Sequence, residues 1–169
     1  MIQETRKEKC SMFREMARKN QQLDTASCLQ LLTDAPRGVL SLLGDGGYPY
    51  GVPMDHWYNP EDGRIYFHSG KRGHKIDAIR CCDKASFCVM DEGWREAGDW
   101  ALNFRSVIAF GRIEIVEDPE KALQITRKLS YKYTDDTAMI EAEILESRKN
   151  LLVFALVPEL ITGKRVKES

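Results

Sequence analysis

The sequence predicts a mainly β, α+β domain, in which six antiparallel strands close, or nearly close, into a barrel with helices at its edges. Three observations lead there. Short apolar or aromatic-rich runs recur along the chain, each bounded by Gly, Pro, Asn or Asp turn signals, which is the pattern of hairpin-linked strands. Helical patterns are few and fall at the edges of those runs. The chain has 169 residues, 43% hydrophobic and 30% charged, the size and composition of one soluble domain with a full core.

Residues 1–24 form a polar arm or outer helix, and residues 25–165 form the domain. Residues 25–32 (TASCLQLL) read as a short helix capped by Asp24 or Thr25 and ended by Pro36 and Gly38. Residues 39–43 are a compact apolar strand, followed by the hairpin turn Gly44-Asp45-Gly46-Gly47. Residues 48–58 (YPYGVPMDHWY) read as one extended segment whose prolines, Pro49 and Pro53, place it at an edge, a bulge or an irregular site and not in a central ladder. After the turn at 59–63 comes a strand over 64–69, then a short helix over 75–82 and a strand over 85–90. Residues 91–99 are a polar loop. Residues 100–117 form a long strand in which Gly111 marks a bulge or a close backbone approach. Asp118 and Pro119 open a helix that reaches about residue 133, a second helix covers 137–146, and residues 151–156 are a last apolar strand.

Composition removes several function classes. A net charge of -1 gives no general attraction to nucleic acid or to an anionic membrane. The longest apolar runs, near 39–43 and 151–157, are too short to span a bilayer. The N-terminus, MIQETRKEKCSMFREMARKN, lacks the apolar core of a signal peptide. The five cysteines include no CxxC pair, and Cys81 and Cys82 are vicinal. Reduced thiols in a cytoplasmic protein follow. A cluster of Cys81, Cys82 and His68 or His74 matches no zinc spacing, so no metal site is expected.

The most informative stretch is IYFHSGKRGHKIDAIR at 65–80. A strand delivers the chain to a turn where Gly70 and Gly73 let backbone approach a ligand. Lys71, Arg72, His74 and Lys75 add positive charge at a helix N-terminus, which already favours an anion. A basic loop taken alone is more often solvated than functional, and one of Lys71 and Arg72 is expected to be. Arg105, in an otherwise apolar strand, needs an anionic partner, either a ligand or a carboxylate such as Asp99 or Glu114.

Four segments together resemble the FMN-binding split barrels of the pyridoxamine 5′-phosphate oxidase-like superfamily, and within it the nitroimidazole-resistance branch. They are APRGVLSLLGDGGYPYGVPMDHWY at 35–58, GRIYFHSGKRGHKIDAIR at 63–80, FRSVIAFGRIEIV at 104–116 and ITGKR at 161–165. The resemblance implies a six-stranded split barrel that dimerises with FMN in clefts at the subunit interface. It implies that Val52, Pro53, Met54 and Asp55 run along the flavin ring through backbone contacts. Tyr66, Phe67, His68 and Ser69 would lie beside the ring or ribityl chain. Lys71, His74 and Lys75 would hold the phosphate, and Phe104, Arg105 and Ser106 would reach the cofactor or close the cleft, from the same or the neighbouring subunit. His68 is then the candidate catalytic residue, although strand parity alone would make it a structural histidine. His56 reads as structural or substrate-side, and Trp57 and Trp100 would join His68 in an open cleft. The helix pair over 119–146 reads as structural cover.

No nucleophile–base pair, carboxylate dyad or GxGxxG fingerprint occurs, so any reaction belongs to the cofactor. The expected activity is transfer of electrons to a small flat acceptor such as a nitroaromatic. The chain departs from pyridoxamine phosphate oxidases in having no histidine after His74, where their Arg/His substrate motif stands. Oxidation of a B6 vitamer remains the alternative enzyme. A non-catalytic barrel holding flavin, deazaflavin or haem is a third reading, with His56, His68 and His74 the only histidines to ligate haem iron.

Overall fold

The computed structural model describes residues 13–167; the first half of the expected polar arm, residues 1–12, lies outside the described residues. The order is α1 (Thr25–Asp34), β1 (Arg37–Leu43), β2 (Pro49–Asp55), β3 (Trp57–Asn59), β4 (Arg64–Gly70), α2 (His74–Cys81), β5 (Lys84–Met90), β6 (Asn103–Ile115), α3 (Pro119–Tyr131), α4 (Thr137–Ser147) and β7 (Leu151–Lys167). The strands form one seven-stranded sheet in the order β2-β1-β5-β6-β7-β4-β3, antiparallel at every pairing.

The sheet's two edge strands, β2 and β3, are consecutive in the chain and separated only by His56. The sheet therefore coils until its edges meet at a covalent seam. Six strands were expected and seven are present, because the extended segment 48–58 breaks at His56. The physical reason lies just beyond the end of α3. The His56 N–H donates to the Tyr133 hydroxyl at 3.0 Å, and that hydroxyl lies 2.6 Å from the Pro36 carbonyl and 3.1 Å from the His56 carbonyl. A side chain from beyond the helix end thus takes the place of a ladder partner at the break. The His56 ring is fully buried, edge-on to Phe87, with Nε2 2.7 Å from the Leu32 carbonyl.

The barrel interior is filled by alternate residues of the strands. Phe67 stands at its centre, edge-on to Phe87 at 5.0 Å and stacked on Phe154 at 5.2 Å. Each fully buried side chain of this size contributes about 1.5–3 kcal/mol. Ile76, Ala78 and Ile79 of α2 join the same core. A smaller cluster on the outer face packs Tyr66, Val153 and Ala155 against Ala122 and Ile125 of α3.

The helix starts follow their caps. Asp24 accepts from the Ser27 N–H, and Asp118 from the Glu120 and Lys121 N–H groups, with Pro119 in the first turn of α3. β6 begins at Asn103, not at the exposed Trp100. β7 continues past residue 156, the end expected from the sequence, to Lys167, through Pro158 and Glu159. The strand tolerates the proline because the register shifts there, opposite Phe110 and Gly111. A Cβ on Gly111 would lie 2.0 Å from the Val157 carbonyl, so the close approach expected at this glycine is real. Among the described residues no helix is long and apolar enough to cross a membrane.

Candidate functional site

β4 pairs with β3 only over residues 64–66. Beyond that point, among the described residues, one edge of Phe67–Gly70 has no strand neighbour, and β2, paired only with β1, is open along its own outer edge. The split in the barrel wall therefore runs between β2 and the end of β4. Pro49 and Pro53 suit this place, since a proline has no N–H to offer a ladder. Tyr50, Val52 and Met54 point into the barrel, while Gly51 and Pro53 are exposed on its outer face. The backbone of Val52, Pro53, Met54 and Asp55 can meet a flat ligand at this edge. The Asp55 carboxylate is taken by Arg37 Nε at 2.6 Å.

The turn after β4 closes one end of the cleft. Gly73 sits at φ 118°, a backbone state other residues rarely adopt, and precedes α2. No side chain caps the first turn of α2, which leaves its leading N–H groups and the helix dipole to a ligand. Lys75 spans the split. Its ammonium lies 3.2 Å from Met54 Sδ of β2, a weak acceptor, and burial lowers its pKa. A half-buried ammonium against a thioether is chemically suited to an incoming anion. His74 stacks on Tyr50 with centroids 4.1 Å apart, and its Nε2 is 3.6 Å from the exposed Asp45 carboxylate. Lys71 is turned elsewhere. Its N–H donates to Asn150 Oδ1 and its ammonium donates to the Lys149 carbonyl at 2.7 Å, tying the turn to the α4–β7 connection.

The expectation for β4 needs correction. Phe67 is core, with no exposure, and Tyr66 is 1% exposed beneath α3. The Tyr66 hydroxyl donates to Asp62 at 2.6 Å, and its pKa is pushed up to about 12 by burial and by that carboxylate. Neither ring lines the cleft, so their contribution to a ligand is limited to backbone. His68 and Ser69 do reach open space. They border a cavity of about 350 Å³ between β4, α3 and α4 that also includes Thr126, Ser130 and Glu143. Enclosure lowers the His68 pKa; Asp55 opposes that shift, Lys75 adds to it and Glu143 opposes it. Those charges place His68 within electrostatic reach of β2 and of the α2 start. The ring is neutral at pH 7.

Phe104, Arg105 and Ser106 are not part of this assembly. They pair with residues 164–166 of β7, whereas His68 pairs with Val153. The interval along β7 is about 40 Å of strand path at the usual rise per residue. Arg105 finds its anion in Asp91, which takes its Nε and its N–H at 2.8 Å each. Asp99 and Glu114 pair instead with Lys167 and Arg64. The three tryptophans are also dispersed. Trp57 stacks on Tyr66 under Lys128, Trp94 lies beneath Arg165, and Trp100 is 74% exposed in the 91–102 loop. Thr126, Ser130 and Glu143 were missed because their helices read as cover. No sequence signal marked them: α4 buries Ile140 and Ile144, four residues apart, as an ordinary covering helix does.

The family model described as pyridoxamine 5′-phosphate oxidase matches residues 24–165. No curated protein matches the chain. Among solved structures, a candidate 5-nitroimidazole antibiotic resistance protein from Bacteroides thetaiotaomicron is similar at 20% identity, covering 87% of each chain, with a TM-score of 0.74. A conserved hypothetical protein from Mycobacterium tuberculosis is similar at 20% identity, covering 89% of this chain and 90% of that one, with a TM-score of 0.73. An FAD-binding protein from Mesorhizobium loti is similar at 23% identity, covering 86% of this chain and 96% of that one, with a TM-score of 0.61.

Proposed function

The chain belongs to the pyridoxamine 5′-phosphate oxidase family, and from that premise we propose that it is a flavoprotein that passes electrons to small flat acceptors such as nitroaromatics. The observation that carries the reading is the split itself. An open backbone edge on β2, an uncapped α2 start after Gly73, and the Lys75 ammonium between them suit a flat ring that ends in a phosphate. FMN has that shape, and a fold neighbour described as FAD-binding supports a flavin in general.

When bound, FMN would supply the two-electron chemistry. Lys75 and the N–H groups at the α2 start would hold its phosphate, and His74, stacked on Tyr50, would close that end. The β2 backbone from Val52 to Asp55 would set the ring's edge. His68, neutral at pH 7, would accept a proton or donate an N–H hydrogen bond on the open side, where the acceptor stacks.

We further propose a cytoplasmic homodimer, in which the partner supplies Phe104, Arg105 and Ser106. The outer sheet face supports this. Val39, Leu43 and Met90 are 41%, 47% and 61% exposed and continue into half-buried Ile108 and Phe110, an apolar area suited to a partner surface.

The first test is the visible spectrum of the purified protein, with the chromophore released by heat and weighed. A flavin spectrum yielding FMN is the expected outcome, and released FAD would correct the cofactor while keeping the chemistry. A colourless protein that takes up neither would sink the reading. Turnover of pyridoxamine 5′-phosphate with oxygen would instead favour the B6 oxidase that the family description names.

A further inference from the structure

The cavity beside His68 differs in charge from the turn that adjoins it. Ser69 and Gly70 belong to both, since the strand that borders the cavity runs directly into the basic turn. On the turn side stand Lys71, Arg72, His74 and Lys75. On the cavity side two carboxylates, Glu143 and Glu146, stand against one ammonium, Lys149. The remaining polar groups there are hydroxyls and an amide, from Ser69, Ser130 and Asn150 among others, with Ile144 and Leu151 supplying apolar wall.

Glu143 is held in place by the helix that carries it. Asp136 caps α4 by accepting from the Met139 N–H. Glu141 accepts from Arg127 Nη2 at 2.9 Å and so joins α4 to α3. Ile140 and Ile144, on the same helix, are buried. The carboxylate two residues after Glu141 therefore has a fixed origin, and its field reaches His68.

We propose that this cavity is the acceptor pocket, and that Glu143 makes it select small flat acceptors bearing a positive charge or N–H donors over anionic ones of the same shape. The assignment of an acceptor rests on the flavoprotein reading; the charge preference of the cavity does not. The reasoning is one of complementarity. A cation entering the pocket meets Glu143 and Glu146 against Lys149 and a neutral imidazole. An anion meets the same two carboxylates with Lys149 in the lining and Lys75 at longer range in compensation, and is drawn instead to the basic turn.

The test uses a matched pair of probes, para-nitrobenzyltrimethylammonium and para-nitrobenzoate, titrated by calorimetry into the full-length protein with its cofactor as purified. In parallel, the His68 ring protons are followed by NMR. The cation should bind about tenfold more tightly than the anion, the size of one or two partly screened charge contacts. It should also move the His68 resonances. Glu143→Gln should erase most of that preference and lower the pH midpoint of His68, because the carboxylate supports the protonated ring. Glu146→Gln should erase less. Equal binding of both probes by the unaltered protein would overturn the proposal, as would an undiminished preference in Glu143→Gln. Displacement of His68 resonances in a protein that binds no flavin would keep the cation pocket and remove the redox function, so the two readings fail separately.

Discussion

Two histidines twelve residues apart in the sequence end up in opposite circumstances. His56 lies at the closed part of the seam, fully buried, with α1 on one side and the end of α3 on the other. His68 lies where the seam has opened into the split and faces a cavity. Both rings are held neutral at pH 7, His56 by burial and the neighbouring Lys132, His68 by enclosure. The shared protonation state therefore says nothing about role. What differs is what each ring touches. His56 Nε2 meets a backbone carbonyl, while its Nδ1 is buried without a hydrogen-bond partner among the described residues. His68 borders open volume and feels the charges of Asp55, Lys75 and Glu143. The comparison teaches that one strand pair serves both purposes: closed, it holds the barrel together; parted, it becomes a slot.

The largest effects should come from the closed end. His56→Ala should cost about 3–4 kcal/mol in denaturant unfolding, from the void beside Phe87 and the buried Leu32 carbonyl left without its donor. The same ring makes stability depend on pH. Its pKa is lowered from 6.5 to about 4 in the folded protein. Above pH 6.5 both states are neutral and it contributes no pH dependence. As pH falls from 6.5 towards 4, the unfolded chain takes up a proton that the folded one refuses, and stability drops by about 3 kcal/mol. His56→Gln should flatten that slope in thermal melts between pH 4 and 7. An unchanged slope would show that another group governs acid unfolding. Tyr133→Phe should cost about 2 kcal/mol, because one hydroxyl serves the backbone of both Pro36 and His56 at the break.

The open end should behave in the opposite way. Lys75→Ala, alone or with His74→Ala, should leave the melting temperature nearly unchanged while weakening FMN binding by about 1–3 kcal/mol, the size of a charge-assisted hydrogen bond. Fluorescence titration of the apoprotein with FMN measures this. Riboflavin, which lacks the phosphate, should bind the native and altered proteins alike. If FMN affinity in the double variant equals that of the native protein, the phosphate anchor is elsewhere.

What the sequence made legible was local. Glycines and prolines at 44–47, 49, 53 and 59–63 marked turns and an edge strand, and the basic turn before α2 stood out because glycine spacing and charge coincide within a few residues. The caps at Asp24 and Asp118 were readable for the same reason. What was not legible depends on contacts between distant parts of the chain. The break at His56 is made by Tyr133, seventy-seven residues away. The continuation of β7 through Pro158 depends on the bulge opposite Gly111. The burial of Tyr66 depends on α3, since strand alternation alone cannot say which face a helix will cover. Glu143 is a functional candidate only because α4 folds back over His68, and no spacing within α4 itself announces that.

The smallest expected effect is the most informative about assembly. Arg105 and Asp91 form a partly exposed pair, so Arg105→Ala should cost only about 0.5–1 kcal/mol of protomer stability. Within one protomer the arginine lies about 40 Å of strand path from the His68 position and is engaged by Asp91, outside the split. Any loss of FMN affinity on this substitution must then act across a subunit boundary. If the partner completes each cleft, Arg105→Ala should weaken FMN several-fold and make the apparent affinity fall as the protein is diluted below its dimer dissociation constant. If each protomer binds alone, FMN affinity should be indifferent both to the substitution and to protein concentration. Light scattering and flavin titration on the same dilution series separate the two, because only a shared cleft makes the open end of the seam depend on a second copy while the closed end does not.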